Sequence, residues 1–404
     1  MSNPTLSQFP IIERLPGYPL AEIVEQMQAQ RRLGADVINL GMGNPDGATP
    51  DFVVDKLCEA AKKSKNHRYS VSRGIPKLRK ALCDMYERRW GVKLDMDHET
   101  VATMGAKEGL SHLILAITAP GDMVLVPNPT YPIHYFAPII ARASVRDIRC
   151  NQMEDFFSNL SRAMKTVHPK PKILICSFPS NPTGHCVDVA YFKELIKFAK
   201  ANGLWVVHDL AYADIAFDGY EPPSILQVDG AKDVAIELYS LSKGYNMPGW
   251  RVAFAAGNRA MITALKKIKS YLDYGMFQPI QIAATVCLNE GGDHAREICA
   301  MYQKRRDIFV DGLNKIGWRI DKPKATMFVW AKIPDAFSHL DSMEFSKLLL
   351  KEADVCCAPG IGFGEYGEGH VRFALVENEK RLQQAVRSVK KFLASAPNNV
   401  TKLA

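Results

Sequence analysis

The run Leu204-Trp205-Val206-Val207-His208-Asp209-Leu210-Ala211-Tyr212 is followed by Ser240-Leu241-Ser242-Lys243 and then by Arg251. An apolar run of this kind reads as a strand covered on both faces, and the carboxyl ends of such parallel strands are where α/β sheets bind ligands. The series places an amine able to form an imine, a carboxylate able to face a ring nitrogen, and hydroxyls with a guanidinium suited to a phosphate. Each of these is common alone. In this order they are specific.

Outward from that centre, short β-rich runs alternate with helical patterns from about residue 50 to 290. They are Thr100 to Met104, Met123 to Val126, Lys172 to Cys176, Leu204 to His208, Val234 to Tyr239 and Val252 to Ala255. Several lack polar alternation, as buried strands do. Between two of them Asp188 is placed to cap a helix with Phe192, Leu195, Ile196 and Ala199 on one face. The alternation predicts an α/β fold: a large domain with a mainly parallel sheet covered by helices on both faces, plus a smaller α+β domain.

The expected partition is an N-terminal arm over 1–19, which holds Pro4, Pro10, Pro16 and Pro19, a small domain from 20–48 and 291–404, and a large domain over 49–290. Within the small part, helices are expected over Glu22 to Leu33, His294 to Lys315 and Glu379 to about Leu393. Short strands are expected over Asp36 to Leu40, around Met327 to Trp330 and over Val371 to Phe373.

At 404 residues the chain exceeds one ordinary core, and its 47% hydrophobic and 23% charged fractions are those of a globular protein. Its formal charge of +8 is scattered. The densest cluster, Lys266-Lys267-Ile268-Lys269, reads as a solvated helix face with no stacking platform beside it, so no nucleic-acid partner is expected. The nine cysteines, among them Cys58, Cys176 and Cys356-Cys357, form no CxxC pair and no His/Cys metal spacing. Reduced thiols, a cytoplasmic location, no metal and no membrane span are the expectations.

Lys243 follows an apolar strand and two serines, unlike a surface lysine, and is the expected reactive amine; burial or nearby cations would lower its pKa. Asp209 is the expected ring-nitrogen partner, with a helix cap as the plain alternative. Tyr212 and Asn181, in Asn181-Pro182-Thr183-Gly184, are expected at a phenolic oxygen on the ring; the tetrapeptide is also a turn. The turn Gly105-Ala106-Lys107-Glu108-Gly109 offers free N–H groups at a helix start, and Ser240, Ser242 and Arg251 complete an anion site. Arg372, in an apolar strand, needs an anion: a structural carboxylate, or the α-carboxylate of a bound amino acid. Together these are the requirements of pyridoxal 5'-phosphate. By contrast, Gly362-Phe363-Gly364-Glu365-Tyr366-Gly367 matches a dinucleotide fingerprint but opens no helix, and it reads as a loop.

From about Ile12 to Leu393 the chain resembles the class I/II aminotransferases of the fold-type I pyridoxal phosphate enzymes. The motifs are Gly43-Asn44-Pro45-Asp46, Tyr69 with Gly74 to Arg79, Gly105 to Gly109, Tyr131-Pro132, Asn181 to Gly184, Asp209 to Tyr212, Ser240 to Lys243, Gly249-Trp250-Arg251 and Arg372. The resemblance implies that Tyr131 stacks on the cofactor ring, that Tyr69 reaches the phosphate of a neighbouring subunit, and that Gly43 lines the substrate pocket through its backbone. It also implies a homodimer, and a role for Lys107 at a distal substrate carboxylate; a solvent-facing first-turn residue is the alternative. Gly41 to Pro50, Val206 to Asp214 and Ile361 to Gly364 are similar to the bacterial alanine (glutamate–pyruvate) aminotransferases. One departure is Thr326, which stands where the family usually has glycine.

The expected reaction moves an amino group between alanine and 2-oxoglutarate. Aspartate or LL-diaminopimelate aminotransferases share most of these positions. A carbon–sulfur β-lyase would use the same lysine, aspartate and arginine. A non-catalytic effector domain would carry a DNA-binding domain ahead of this fold, and only a short proline-rich lead precedes it here.

Overall fold

A computed structural model describes residues 9–17, 19–150 and 153–394. The expected arm lies partly outside them; within it, Pro10–Glu13 forms one helical turn. The strands among the described residues are β1 (Ile38–Asn39), β2 (Thr100–Thr103), β3 (Met123–Asn128), β4 (Ser144–Arg149), β5 (Ile173–Cys176) and β6 (Trp205–Leu210). They continue with β7 (Ala235–Ser240), β8 (Ala253–Gly257), β9 (Phe328–Lys332), β10 (Val355–Cys356), β11 (Ala358–Pro359) and β12 (His370–Ala374).

Seven of them make one sheet in the order β2-β8-β7-β6-β5-β3-β4. β8 runs against both neighbours, and the remaining pairs are parallel. The period of two splits each strand between two cores. Leu174, Cys176, Val206 and Tyr239 pack under helices that include Pro76–Trp90, Val189–Asn202 and Gln278–Glu290. Ile173, Ile175, Val207 and Leu238 pack on the other face, under Ala106–Ile117, Pro132–Ile140 and Arg259–Leu272. The predicted mainly parallel sheet, covered on both faces, is present.

The cap on Val189–Asn202 forms as read: Asp188 accepts from the Tyr191 N–H at 2.8 Å, and Phe192, Leu195, Ile196 and Ala199 are buried. β4 escaped the sequence reading. It is an edge strand, Ser-Val-Arg-Asp-Ile-Arg, whose charges leave no apolar run and blunt the edge against further pairing.

The lysine cluster requires a correction. Lys269 is fully buried, and its Nζ donates to Glu108 Oε1 at 2.8 Å and to Asp273 Oδ2 at 3.0 Å. A buried ammonium needs such anions, so only Lys267 keeps the expected exposed position.

A separate antiparallel sheet, β11-β12-β9, and the short parallel pair β1-β10 stand beside the large one. Their core includes Tyr302, Phe309 and Trp318, and also takes in Tyr212, Ile215 and Phe217 from the segment after β6. That shared packing couples the exit of β6 to the smaller sheet.

Candidate active site

Most of the expected residues converge at one end of the large sheet. In the parallel strands this is the carboxyl end; in the reversed β8 it is the start. Register makes this concrete, since Ser240 and Thr103 both pair with Ala253. Gly105, Ser240 and Arg251 therefore leave the sheet side by side. The cavity there, about 230 Å³, is lined by Gly43, Ala106, Lys107, Tyr131, Asn181, Asp209, Tyr212, Ser240, Ser242, Lys243, Arg251 and Arg372 among others.

Three strand ends build a cationic cradle. Gly105 has φ +87°, and a Cβ there would lie 2.6 Å from Cζ of Arg251, so only glycine admits the guanidinium. The helix Ala106–Ile117 begins at Gly105 with no side chain capping it, which leaves its first N–H groups available to an anion. Ser240 Oγ accepts from the Ser242 N–H at 3.2 Å and pairs with Ser242 Oγ at 3.0 Å. Lys107, next in the helix, is exposed at the cavity rim.

Lys243 Nζ donates to the Gly43 carbonyl at 2.6 Å. Burial, reinforced by the guanidiniums of Arg372 and Arg251, lowers its pKa from the usual 10.5 to about 8. A neutral amine is thus within reach near physiological pH. Gly43 is wedged on its other side, where a Cβ would lie 2.6 Å from the ring of Phe328.

Asp209 is the penultimate residue of β6, not the residue just past it, so its carboxylate is held by the sheet itself. Alternation puts it on the Val207 face, toward the helix Pro132–Ile140. From that helix His134 Nε2 lies 3.0 Å from Asp209 Oδ2, while His134 Nδ1 lies 2.8 Å from Thr130 Oγ1. Asp209 Oδ1 is buried with no hydrogen-bond partner among the described residues. His208 points to the opposite face, where its Nδ1 lies 2.9 Å from Glu237 Oε2; Tyr86 and Ser224 donate to that carboxylate.

Arg372 Nη1 donates to Asn181 Oδ1 at 2.7 Å, and Nη2 to the Gly41 carbonyl at 2.9 Å. Neither of these two partners is a carboxylate. Its guanidinium lies between Phe328 and Phe363, 4.1 and 4.6 Å from the ring centroids. The Asn181 amide reaches the Tyr212 hydroxyl at 3.5 Å, and burial holds that hydroxyl's pKa well above its usual 10.

Phe363 comes from the rejected dinucleotide match, which forms two short 3-10 turns. Its Gly364, at φ +119°, lets the loop dock on Asn128 at the end of β3. Thr326 takes φ +72°, a conformation that favours glycine and costs a β-branched residue on the order of 1–3 kcal/mol. Its hydroxyl accepts from the Phe328 N–H at 3.2 Å and so steadies the ring beneath Arg372.

One expected residue stands apart. Tyr69 does not line the cavity; it is 86% exposed and packs at a tilt against Tyr274, with centroids 4.6 Å apart. Sequence reading missed His134, Phe328 and Phe363. A histidine in the apolar helix start Tyr131-Pro132-Ile133-His134-Tyr135-Phe136 was the available signal for the first. The two phenylalanines look like ordinary core.

The family model for aminotransferase class I and II matches residues 35–389. The chain is 51% identical to glutamate-pyruvate aminotransferase AlaC of Escherichia coli K12, over 95% of this chain and 93% of that protein. It is 41% identical to an LL-diaminopimelate aminotransferase of Dehalococcoides mccartyi, over 93% and 96% of the two chains. Among solved structures, substrate-bound BacF of Bacillus subtilis superposes with a TM-score of 0.89 at 35% identity, covering 95% of this chain and 97% of that one.

Proposed function

The chain belongs to the aminotransferase class I and II family, and from that premise we propose that it moves an amino group between alanine and 2-oxoglutarate, giving pyruvate and glutamate. It is an aminotransferase that works with pyridoxal 5'-phosphate, as the family does. The identity to the Escherichia coli glutamate-pyruvate enzyme carries the substrate reading. Limited space around a methyl side chain contributes only about 1–3 kcal/mol of discrimination, so Arg372 must supply much of the binding.

The cavity fits the cofactor. Asp209, whose Oδ1 is buried with no hydrogen-bond partner among the described residues, lines a cavity that also holds an amine of lowered pKa and a glycine-made anion cradle. When bound, the cofactor supplies an aldehyde that takes up the amino group and a ring that draws off the electron pair freed at Cα.

The chain's own residues do the rest. Arg251, Ser240, Ser242 and the N–H groups at Ala106 and Lys107 would hold the phosphate. Asp209, steadied by His134, would keep the ring nitrogen protonated. Tyr212 and Asn181 would bind the ring's phenolic oxygen, and Tyr131 would contact the ring. Arg372 and Asn181 bind the α-carboxylate and set the angle of the Cα–H bond, with the Gly43 backbone as a wall. Lys243 Nζ then takes the Cα proton, which its lowered pKa permits. Lys107 meets the distal carboxylate of glutamate.

We also read the protein as a cytoplasmic homodimer. Tyr69, Tyr271 and Tyr274 are exposed at 86%, 83% and 63%, and an aromatic patch of this kind suits a second copy. The cysteines are free thiols, and no helix among the described residues is long and apolar enough to cross a membrane.

Single half-reactions with a panel of amino acids, followed by the cofactor's absorbance, test the assignment. Alanine and glutamate should react fastest. A roughly tenfold preference for aspartate or LL-diaminopimelate would overturn the substrate while leaving the class. Release of ammonia and pyruvate without a keto-acid acceptor would favour the β-lyase.

A further inference from the structure

Behind the turn that carries Lys243 lies Asp214. A Cβ on Gly244 would sit 2.5 Å from Asp214 Oδ2 and 2.6 Å from its Cγ, so the turn and the carboxylate are in contact and only glycine fits between them. The Asp214 side chain is 6% exposed, and both its oxygens are engaged. Arg89 Nη1 donates to Oδ1, and the Tyr239 hydroxyl donates to Oδ2 at 3.0 Å. Arg89 Nη2 donates to the Ala213 carbonyl as well.

These contacts join four pieces of the fold. Arg89 belongs to the last turn of Pro76–Trp90, and its guanidinium lies 4.6 Å from the centroid of the Trp90 ring. Tyr239 immediately precedes Ser240 on β7 and meets Tyr86 and Trp90 edge-on, with centroids 6.3 and 6.2 Å away. Asp214 itself follows Asp209 and Tyr212 on the exit of β6. The cluster lines a groove of about 730 Å³ that shares no lining residue with the cofactor cavity. It therefore reaches Lys243 from behind, through the backbone.

We propose that Asp214, clamped by Arg89 and Tyr239, is a positioning residue that sets where Lys243 Nζ sits relative to Asp209 and Tyr212. The inference rests on Lys243 being the reacting amine. Its physical basis is that β6 and β7 pair only as far as Leu210 and Tyr239, and beyond that pairing a buried carboxylate with two donors holds the β6 exit against the lysine turn. A shift of the amine by about 1 Å is worth on the order of a hundredfold in rate. A shift toward solvent also undoes the burial that keeps the amine partly neutral.

The test begins with cofactor-free protein treated with benzaldehyde and cyanoborohydride at neutral pH, followed by peptide mapping. In the parent, Lys243 should be the lysine labelled fastest. Asp214→Asn and Arg89→Gln should slow labelling at Lys243 by about fivefold or more while leaving Lys107 unchanged, and after cofactor is added kcat should fall about tenfold with KM for alanine within about threefold. Tyr239→Phe keeps the packing, loses one hydrogen bond, and should give a smaller loss of the same pattern. Labelling and kcat within about twofold of the parent in Asp214→Asn and Arg89→Gln overturn the proposal. If those two do not fold, Tyr239→Phe decides: parent-like labelling and kcat overturn it. Label on a different lysine in the parent overturns the reading of Lys243 and this proposal with it, an outcome distinct from unchanged labelling in the variants.

Discussion

His134 Nε2 lies 3.0 Å from Oδ2 of Asp209, while Oδ1 of the same carboxylate, which lines the cavity, is buried with no hydrogen-bond partner among the described residues. The two oxygens have different tasks: one is tied to the scaffold, the other is left to the ligand. A hydrogen bond to a charged group contributes about 1.5–3 kcal/mol, so His134→Phe should slow the alanine half-reaction by roughly tenfold to a hundredfold. Asp209→Ala removes the counter-charge altogether and should cost several orders of magnitude, far more than it costs in cofactor binding. Stopped-flow rates on both variants check this; an Asp209→Ala rate within about tenfold of the parent would reduce Asp209 to a structural cap.

The lowered pKa of Lys243 has a stability consequence. Because the folded value, about 8, lies below the usual 10.5, the unfolded chain holds more protons between those limits, and the lysine's contribution to stability rises with pH across that window. Below about pH 8 the full cost of burying the ammonium is paid. Cofactor-free Lys243→Met should therefore be more stable than cofactor-free parent at pH 7, and the gap should shrink as pH approaches 10. Chemical denaturation at several pH values measures it, and a gap that stays constant with pH would show that Lys243 keeps an ordinary pKa.

Lys107 is exposed at the rim of the cavity, where a second, apolar hollow lined by Leu15, Pro16, Ile133 and Phe136 begins. If its ammonium meets the distal carboxylate of glutamate, Lys107→Ala should weaken the glutamate half-reaction by about tenfold and the alanine one by much less. Equal losses for both substrates would remove Lys107 from substrate selection.

For Tyr69, the expected partner is the other subunit. Chains carrying Lys243→Ala and Tyr69→Ala, each strongly impaired alone, should recover activity when mixed as heterodimers, because one site then holds both intact residues. No recovery in verified heterodimers would place Tyr69 outside the partner's site.

Much of the architecture was readable from local pattern. β5, β6 and β7 are apolar runs because both their faces are covered, and Asp188 announces its helix through a cap that needs only its own neighbours. β4 was not readable, since an edge strand shielded by charge has no apolar signature. Lys269 misled for a related reason. A lysine among lysines looks solvated until Glu108 and Asp273, far away in sequence, are brought to it.

The residue types of the chemistry were legible in order along the chain: a lysine after two serines, an aspartate closing a strand, and an arginine within one. Order carries identity because each group must leave the sheet at the same end. What the order does not contain is distance across the sheet. The antiparallel course of β8 brings Arg251 over Gly105. Pairing of β9 with β12 sets Phe328 beneath Arg372, and a buried helix face delivers His134 to Asp209. Those contacts join residues from tens to more than a hundred positions apart, and Phe328 looks in the sequence like ordinary core. Only packing in three dimensions selects them, because burial and hydrogen-bond satisfaction depend on neighbours in space and not on neighbours in sequence.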